Sequence, residues 1–328
     1  MKPMRNPSRR GNPIVLVIIL ILVPVFILSG LQFLESTGLF DRGQEPPIKT
    51  KTIIRDGKAY YPRQDITVIL LAGIDESGKA EASGSYNNPG EADMVTLLVF
   101  DNTNKKLDVI ALNRDTMLEI PVIGVTGQNA GTKTAQLALA HTYGSGMKDS
   151  AKNLSKTVST YLYDLQINYY VTLRMDAIAI LNDAVGGVEV EITEDFSAID
   201  PSMTGKVRLT GEQAQIYLQT RRGLGDELNL SRMQRQEKYM RAFVAALKAR
   251  SEISAEFAVD LFEQVSAYMV TDCTAKTISS FSQRFADYAM GDIVTFEGTN
   301  VAEEYMEFHV TEQQKDKVVL KYLYALKD

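Results

Sequence analysis

Cysteine, histidine and basic charge are all scarce in this sequence of 328 residues. The single cysteine, Cys273, cannot form a disulfide within the chain, and one cysteine also excludes a cysteine-based metal cluster. His141 and His309 are too few for a histidine-rich zinc site, so any metal chemistry must rest on carboxylates. The net charge of −6 lacks the basic footprint of a nucleic-acid-binding protein. We therefore expect no nucleic-acid partner.

An uncharged apolar run covers residues 14–34 and follows four basic residues. It is long enough to cross a bilayer as one helix, and the basic residues favour a cytoplasmic N-terminus. The alternative, a cleaved signal peptide, has a shorter apolar core and a small-residue cleavage site. The sequence predicts a single-pass protein of the plasma membrane with a cytoplasmic basic tail (1–13), a transmembrane anchor (14–34), a stalk or irregular lead-in (35–64) and an extracellular domain (65–328).

Three apolar runs early in that domain each carry a charged residue at one end. Residues 68–73 lead into Asp75, residues 94–100 follow Asp93, and residues 107–112 lead into Arg114. Runs rich in Val, Ile and Leu and bounded by turn residues predict buried strands. A short Asn/Asp-rich turn joins the second and third runs, which predicts an antiparallel hairpin. If the first strand is antiparallel to the second, the three charged residues lie at one edge of the sheet.

Two carboxylates and a guanidinium at one sheet edge suit a metal-bound phosphate. Mg²⁺ takes one or two carboxylates together with phosphate oxygens, and the planar fork of arginine binds phosphate. The alternative is that these charges are solvated strand ends with no further role. The spacing alone leaves both interpretations open.

The rest of the chain alternates predicted helices and strands, as α/β proteins do. The pattern predicts a helix over 150–165, a strand over 169–173, a helix over 176–185, a strand with one wet face over 188–192, and capping-box helices that begin at Thr210 and Ser231. Arg232 then falls in a first helical turn, where a cation opposes the helix dipole unless an anion binds nearby.

Seven stretches together resemble the LytR-CpsA-Psr family of cell-wall glycopolymer ligases. They are residues 70–75 (LLAGID), 92–95 (ADMV), 113–116 (NRDT), 140–144 (AHTYG), 183–190 (DAVGGVEV), 209–214 (LTGEQA), and 225–226 (GD) with 231–236 (SRMQRQ). The resemblance implies an α/β/α sandwich around a mixed β-sheet. It also implies an enzyme that moves an anionic glycan, such as teichoic acid or capsule, from a polyprenyl-pyrophosphate carrier to a peptidoglycan acceptor, with pyrophosphatase activity as an accompanying reaction.

The resemblance further implies a role for individual residues. Asp75 and Asp93 would hold Mg²⁺, with Mn²⁺ as an alternative ion. Residues with an implied catalytic role are Arg114, Arg221, Arg232 and Asp226, and those with an implied substrate-binding role are Gln236, Gln219, Arg222 and Gln136. Either Asp93 or Asp226 would accept the proton of the acceptor hydroxyl.

Three positions depart from the family pattern because a neutral residue replaces a phosphate-facing cation. These are Ala92, Gln136 and Gln219, and Arg222 could substitute for the cation missing at Gln219. Each lost charge-assisted hydrogen bond costs roughly 1.5–3 kcal/mol. An alternative function is therefore a non-catalytic polyprenyl-phosphate-binding module or a regulator of envelope assembly. Outward orientation and acidic charge argue against a transcription regulator.

Overall fold

The structure is a computed structural model that covers the domain following residue 50. It describes residues 51–220, 235, 238–239, 242–243, 245–246, 249–250, 257–274, 277, 281, 284–285, 288–302 and 304–326.

Strands and helices are numbered separately in chain order. The strands are β1 (Ile53–Arg55), β2 (Lys58–Pro62), β3 (Ile66–Ile74), β4 (Ala92–Asp101), β5 (Lys106–Leu112), β6 (Met117–Ile123), β7 (Asn129–Gln136), β8 (Tyr169–Arg174), β9 (Val188–Ile192), β10 (Gly205–Leu209), β11 (Met269–Thr271), β12 (Ala289–Thr295), β13 (Thr299–Ala302), β14 (Met306–His309) and β15 (Tyr324–Leu326). The helices are α1 (Lys148–Tyr161), α2 (Ala177–Ala184), α3 (Gly211–Gln219), α4 (Phe257–Ser266) and α5 (Glu312–Tyr322), with a 3₁₀ turn at Leu137–Ala140. Described residues between 235 and 250 are also helical.

A six-stranded mixed sheet forms the centre of the domain, in the order β11-β8-β3-β4-β5-β12. The β3–β4 and β4–β5 pairs are antiparallel, as the apolar runs and the short turn predict. β8 and β12 join the sheet by parallel pairing with β3 and β5 respectively, because helical crossovers precede each of them. The mixed α/β fold expected from the sequence is thereby confirmed.

Both faces of the central sheet are buried, which gives the domain three layers. Adjacent residues of β4 belong to opposite sides: Leu98 lies in a buried cluster with residues of α2, α3 and α4, whereas Leu97 lies in a second cluster with residues of α1 and α5. Covered faces explain why the central strands are nearly continuous apolar runs instead of alternating patterns. β9, which lies outside this sheet, alternates buried and exposed residues as its sequence predicts. α3 begins with the predicted capping box at Thr210.

Residues 53–62 differ from the predicted irregular lead-in. They form β1 and β2, and β2 pairs with β15 near the other end of the domain. Ile53 is buried, and the Arg55 guanidinium forms an ion pair with Asp316 on α5. The short, charged segment carries no strong strand pattern of its own, since its order depends on partners distant in sequence.

The predicted anchor at residues 14–34 lies outside the described residues and stays a prediction. Among the residues from 51 onwards that the structure describes, no helix is long and apolar enough to cross a bilayer.

The two-sided core gives a direct test with adjacent residues of β4. We expect Leu97→Ala and Leu98→Ala each to lower the free energy of unfolding by about 2–5 kcal/mol, because each leaves a cavity in a fully buried layer. Ile54→Ala removes an exposed side chain and is the matched control. Urea unfolding measures all three. A large loss for only one of the two leucines would contradict the three-layer arrangement.

Candidate functional site

The candidate site lies at the sheet edge where β3, β5 and β8 end and β4 begins. Ile74, the last residue of β3, pairs with Ala92 on one side and with Arg174 on the other. The next residue, Asp75, has an exposed side chain, and its backbone N–H donates to the Glu91 carbonyl at 2.8 Å. The two ends of the β3–β4 connection are therefore held together at this edge.

A β-bulge in β4 orients Asp93. Gly73 pairs with Met94 and Ile74 pairs with Ala92, so Asp93 is the extra residue on its strand. The bulge turns Ala92 into the apolar core, where it is fully buried. Ala92, one of the three positions where the resemblance implies a cation, is thus a core position here. Asp93 forms an ion pair with Arg114 from the neighbouring strand end.

A tight turn after β5 presents Arg114. The Asn113 Oδ1 accepts a hydrogen bond from the Asp115 N–H at 2.9 Å, and the Thr116 hydroxyl donates to the Asn113 carbonyl at 2.6 Å. Asparagine commonly closes a turn through such a local side-chain bond. The NRDT stretch therefore ends the strand sharply and leaves Arg114 at the sheet edge.

The Arg114 guanidinium meets a carboxylate at each of its three nitrogens. Nη1 pairs with Asp93, Nη2 lies 2.5 Å from Glu91 Oε2, and Nε lies 3.5 Å from Asp115 Oδ1. The sequence prediction that Asp93 and Arg114 meet is confirmed. Glu91 was not predicted, because its position in the loop before β4 gives no periodic signal.

Carboxylates outnumber cations among the described residues at this edge. The acidic residues are Asp75, Glu76, Glu91, Asp93 and Asp115, and the basic residues are Arg114 and Arg174. Across the described ranges, no group of three or more metal-ligating side chains is close enough to hold an ion by itself. The expectation that Asp75 and Asp93 hold Mg²⁺ therefore stays a prediction.

Arg174 is a second arginine at the edge that sequence reasoning missed. Its side chain is 9% exposed and pairs with Glu76 at 3.0 Å. Its guanidinium also donates to the Ser77 carbonyl and the Glu81 carbonyl, each at 3.2 Å. Arg174 therefore holds the loop that follows Asp75. The available signal was an arginine ending an otherwise apolar strand.

Asn88 connects the same loop to the segment before α1. Its buried side-chain amide donates to the carbonyls of His141, Thr142 and Gly144 at 2.8–3.1 Å, and its Oδ1 accepts from the Gly90 N–H at 2.9 Å. Through these hydrogen bonds the buried amide holds two backbone segments together, the loop around Gly90 and the segment 141–144. The AHTYG stretch thus supports the loop.

His141 is buried and neutral beside this loop. Because a carbonyl can only accept, the contact of 2.8 Å with the Gly90 carbonyl places the proton on Nδ1. The other ring nitrogen, Nε2, is buried without a hydrogen-bond partner. Burial, with a contribution from the charge of Arg174, lowers the pKa of His141 to about 4.

Gln136 is joined to the site through Asp115. Its amide donates to Asp115 Oδ1 at 3.0 Å and to the Met306 carbonyl at 2.7 Å. Asp115 in turn contacts Arg114. In this structure the amide of Gln136 connects β7, the NRDT turn and β14. Its predicted contact with substrate remains a prediction.

Arg235 contacts the end of α3. Its side chain is buried, and it donates to the carbonyls of Tyr217 and Thr220 at the end of α3. Gln219 is exposed at that helix end. The predicted residues outside the described part of the chain are Arg221, Arg222, Asp226, Arg232 and Gln236.

Residues 44–322 match the LytR_cpsA_psr family. The match extends over most of the chain and includes all of the edge residues described above. The chain therefore belongs to the LytR-CpsA-Psr family.

Two similar proteins carry names that state an activity. The polyisoprenyl-teichoic acid–peptidoglycan teichoic acid transferase TagU of Enterococcus faecalis is 31% identical over 57% of this chain and 55% of its own length. TagV of Bacillus subtilis, with the same transferase name, is 25% identical over 67% of this chain and 52% of its own length. The chain thus spans about half the length of these curated relatives.

Solved structures show the same fold. The crystal structure of B. subtilis TagV matches this structure with a TM-score of 0.55 and 20% sequence identity. The match covers 78% of this chain and 95% of the TagV chain. The structure of TagT bound to LI-WTA matches this structure with a TM-score of 0.53 and 20% sequence identity. The match covers 78% of this chain and 88% of the TagT chain. At these identities the likeness concerns the fold alone.

His141 gives a prediction about stability and pH. The unfolded chain binds a proton at this residue below about pH 6.5, whereas the folded chain does so only below about pH 4, so stability is lost as pH falls through this window. We expect the free energy of unfolding to fall by about 2 kcal/mol more between pH 7 and pH 5 in the wild type than in His141→Asn, which retains a donor for the Gly90 carbonyl.

Urea unfolding at the two pH values measures this difference. His309→Asn is the control, since it removes the chain's other histidine, whose side chain is 50% exposed. Equal pH dependence in the wild type and His141→Asn would show that the imidazole ionises freely in the folded protein.

Proposed function

We propose that this protein is a membrane-anchored phosphotransferase that moves an anionic glycopolymer from a polyprenyl-pyrophosphate carrier to peptidoglycan. The observation that carries the proposal is the contact between Asp93 and Arg114 beside the Asp75 strand end. Family membership and the transferase names of TagU and TagV support it. The anchor over residues 14–34 would place the domain outside the cell, where both the carrier and peptidoglycan are accessible.

The reaction makes one phosphorus–oxygen bond and breaks another. The acceptor hydroxyl oxygen attacks the phosphorus that bears the glycan, the bridging bond of the pyrophosphate breaks, and polyprenyl phosphate leaves. The hydroxyl proton passes to a carboxylate, with Asp226 and Asp93 as the candidates. Transfer to water in place of the acceptor gives the pyrophosphatase reaction.

The excess of carboxylates among the described residues at the sheet edge supports a role for a divalent cation in this chemistry. Asp75 and Asp93 would hold Mg²⁺ or Mn²⁺, and the ion would supply positive charge that offsets the charge of the phosphates. Arg114 would bind a phosphate oxygen through its planar guanidinium and stabilise the charge that develops as the bond breaks. Arg221 and Arg232, with Gln236, Gln219, Arg222 and Gln136, complete the proposed substrate contacts.

A non-catalytic carrier-binding module is the second candidate. One observation favours it: every guanidinium nitrogen of Arg114 already faces a carboxylate. A protein that binds the carrier with Mg²⁺ but releases no polyprenyl phosphate would have this function.

Single substitutions at the edge test the enzymatic proposal. We expect Asp75→Ala and Arg114→Ala each to lower kcat/KM by about 100-fold or more, because each removes a group that acts on the reacting phosphates. The assay follows polyprenyl phosphate release from a lipid-pyrophosphate-linked glycan by the full chain in detergent with Mg²⁺. Arg208→Ala, which removes a cation that is 60% exposed on β10, is the control.

Each variant is also checked by thermal unfolding so that a loss of activity can be assigned to the site. Turnover by Asp75→Ala or Arg114→Ala at the wild-type rate would refute the proposed site. Binding of the carrier without any release by the wild type would favour the module.

A further inference from the structure

One terminal nitrogen of the Arg114 guanidinium, Nη2, is occupied by a carboxylate from the loop before β4. Glu91 Oε2 lies 2.5 Å from Arg114 Nη2, and the side chains are 38% and 27% exposed respectively. Carboxylate and phosphate oxygens bind a guanidinium in the same planar geometry. Glu91 therefore fills a place on Arg114 that a phosphate oxygen could take.

The three carboxylates around Arg114 differ in how firmly they are held. Asp93 is 15% exposed and lies in the β4 bulge, and Asp115 is 25% exposed and accepts a hydrogen bond from Gln136. Glu91 is the most exposed of the three. Solvent weakens an ion pair as its exposure rises, so Glu91 is the partner that an incoming anion displaces most easily.

Displacement of Glu91 requires no backbone movement. Its carbonyl accepts the hydrogen bond from the Asp75 N–H at 2.8 Å, which holds the main chain beside the edge. Rotation of the side chain alone would move its carboxylate away from Arg114. The backbone hydrogen bond next to Asp75 would stay intact when the guanidinium becomes available.

We propose that Glu91 is an internal competitor for the phosphate-binding face of Arg114 and so determines how tightly this site binds a diphosphate. The inference rests on the proposed function, because it takes Arg114 to be a phosphate ligand. Glu91 opposes binding because its carboxylate occupies a guanidinium nitrogen that a phosphate oxygen would otherwise contact.

The test measures binding of inorganic pyrophosphate with Mg²⁺ to the full chain in detergent by isothermal titration calorimetry. We expect Glu91→Gln to lower the Kd roughly tenfold, since the amide is uncharged and competes weakly for the guanidinium. Glu119→Gln removes the same charge from an exposed position on β6 and should change the Kd by less than about twofold.

A double-mutant cycle shows whether the effect passes through Arg114. In the Arg114→Ala background, Glu91→Gln should change the Kd by about twofold or less, because no guanidinium remains to compete for. A tenfold gain in that background would mean general repulsion and would overturn the inference.

The remaining outcomes separate this inference from the proposed function. An unchanged or weaker affinity in Glu91→Gln, with measurable binding by the wild type, overturns the inference and leaves the proposed function standing. Binding by Glu91→Gln but not by the wild type supports it. Absence of pyrophosphate binding by both proteins overturns the inference together with the diphosphate site.

Discussion

Antiparallel pairing of β3, β4 and β5 is the constraint on which the candidate site depends. It returns the chain to the same edge of the sheet, so that the strand ends beside Asp75, Asp93 and Arg114 are neighbours although turns and loops separate them in sequence. The bulge at Asp93 completes the arrangement. Without it, the side chains of Ala92 and Asp93 would each point to the opposite face of the sheet. Backbone hydrogen bonds therefore position the charged groups before any ligand arrives.

Buried polar residues behind the edge hold its loop through hydrogen bonds. Arg174 holds carbonyl groups of the loop that follows Asp75, and Asn88 holds the segment before α1 against the same loop. His141 adds a hydrogen bond to Gly90 while staying uncharged. Such side chains are costly to bury unless they are bonded, so their partners define one loop conformation. Precise placement of the exposed groups follows from this support.

The described edge is acidic, yet the proposed substrate is an anion. This opposition is resolved if a divalent cation and the arginines of the 221–236 segment supply the missing positive charge. Arg235 connects the end of α3 to the described helical residues between 235 and 250. The neutral positions Ala92 and Gln136 have structural roles of their own, in the core and between strands. Their lack of charge is therefore compatible with an ordered site.

Local patterns in the sequence determined the central strands, the start of α3 and the contact between Asp93 and Arg114 at the site. Apolar runs gave the central strands, the capping box at Thr210 gave the start of α3, and the hairpin turn placed Asp93 beside Arg114. Each of these rests on interactions between residues close in sequence or on simple strand geometry.

Only the tertiary structure decided the partners of residues distant in sequence. Pairing of β2 with β15, the contacts of Arg174 with the loop after β3, and the packing of Ala92 into the core depend on long-range contacts that no local pattern encodes. The pairing of Glu91 with Arg114 is of the same kind, because a loop side chain acquires its partner when the strand ends meet. Sequence thus determined which residues are charged, and folding determined which charges neutralise one another.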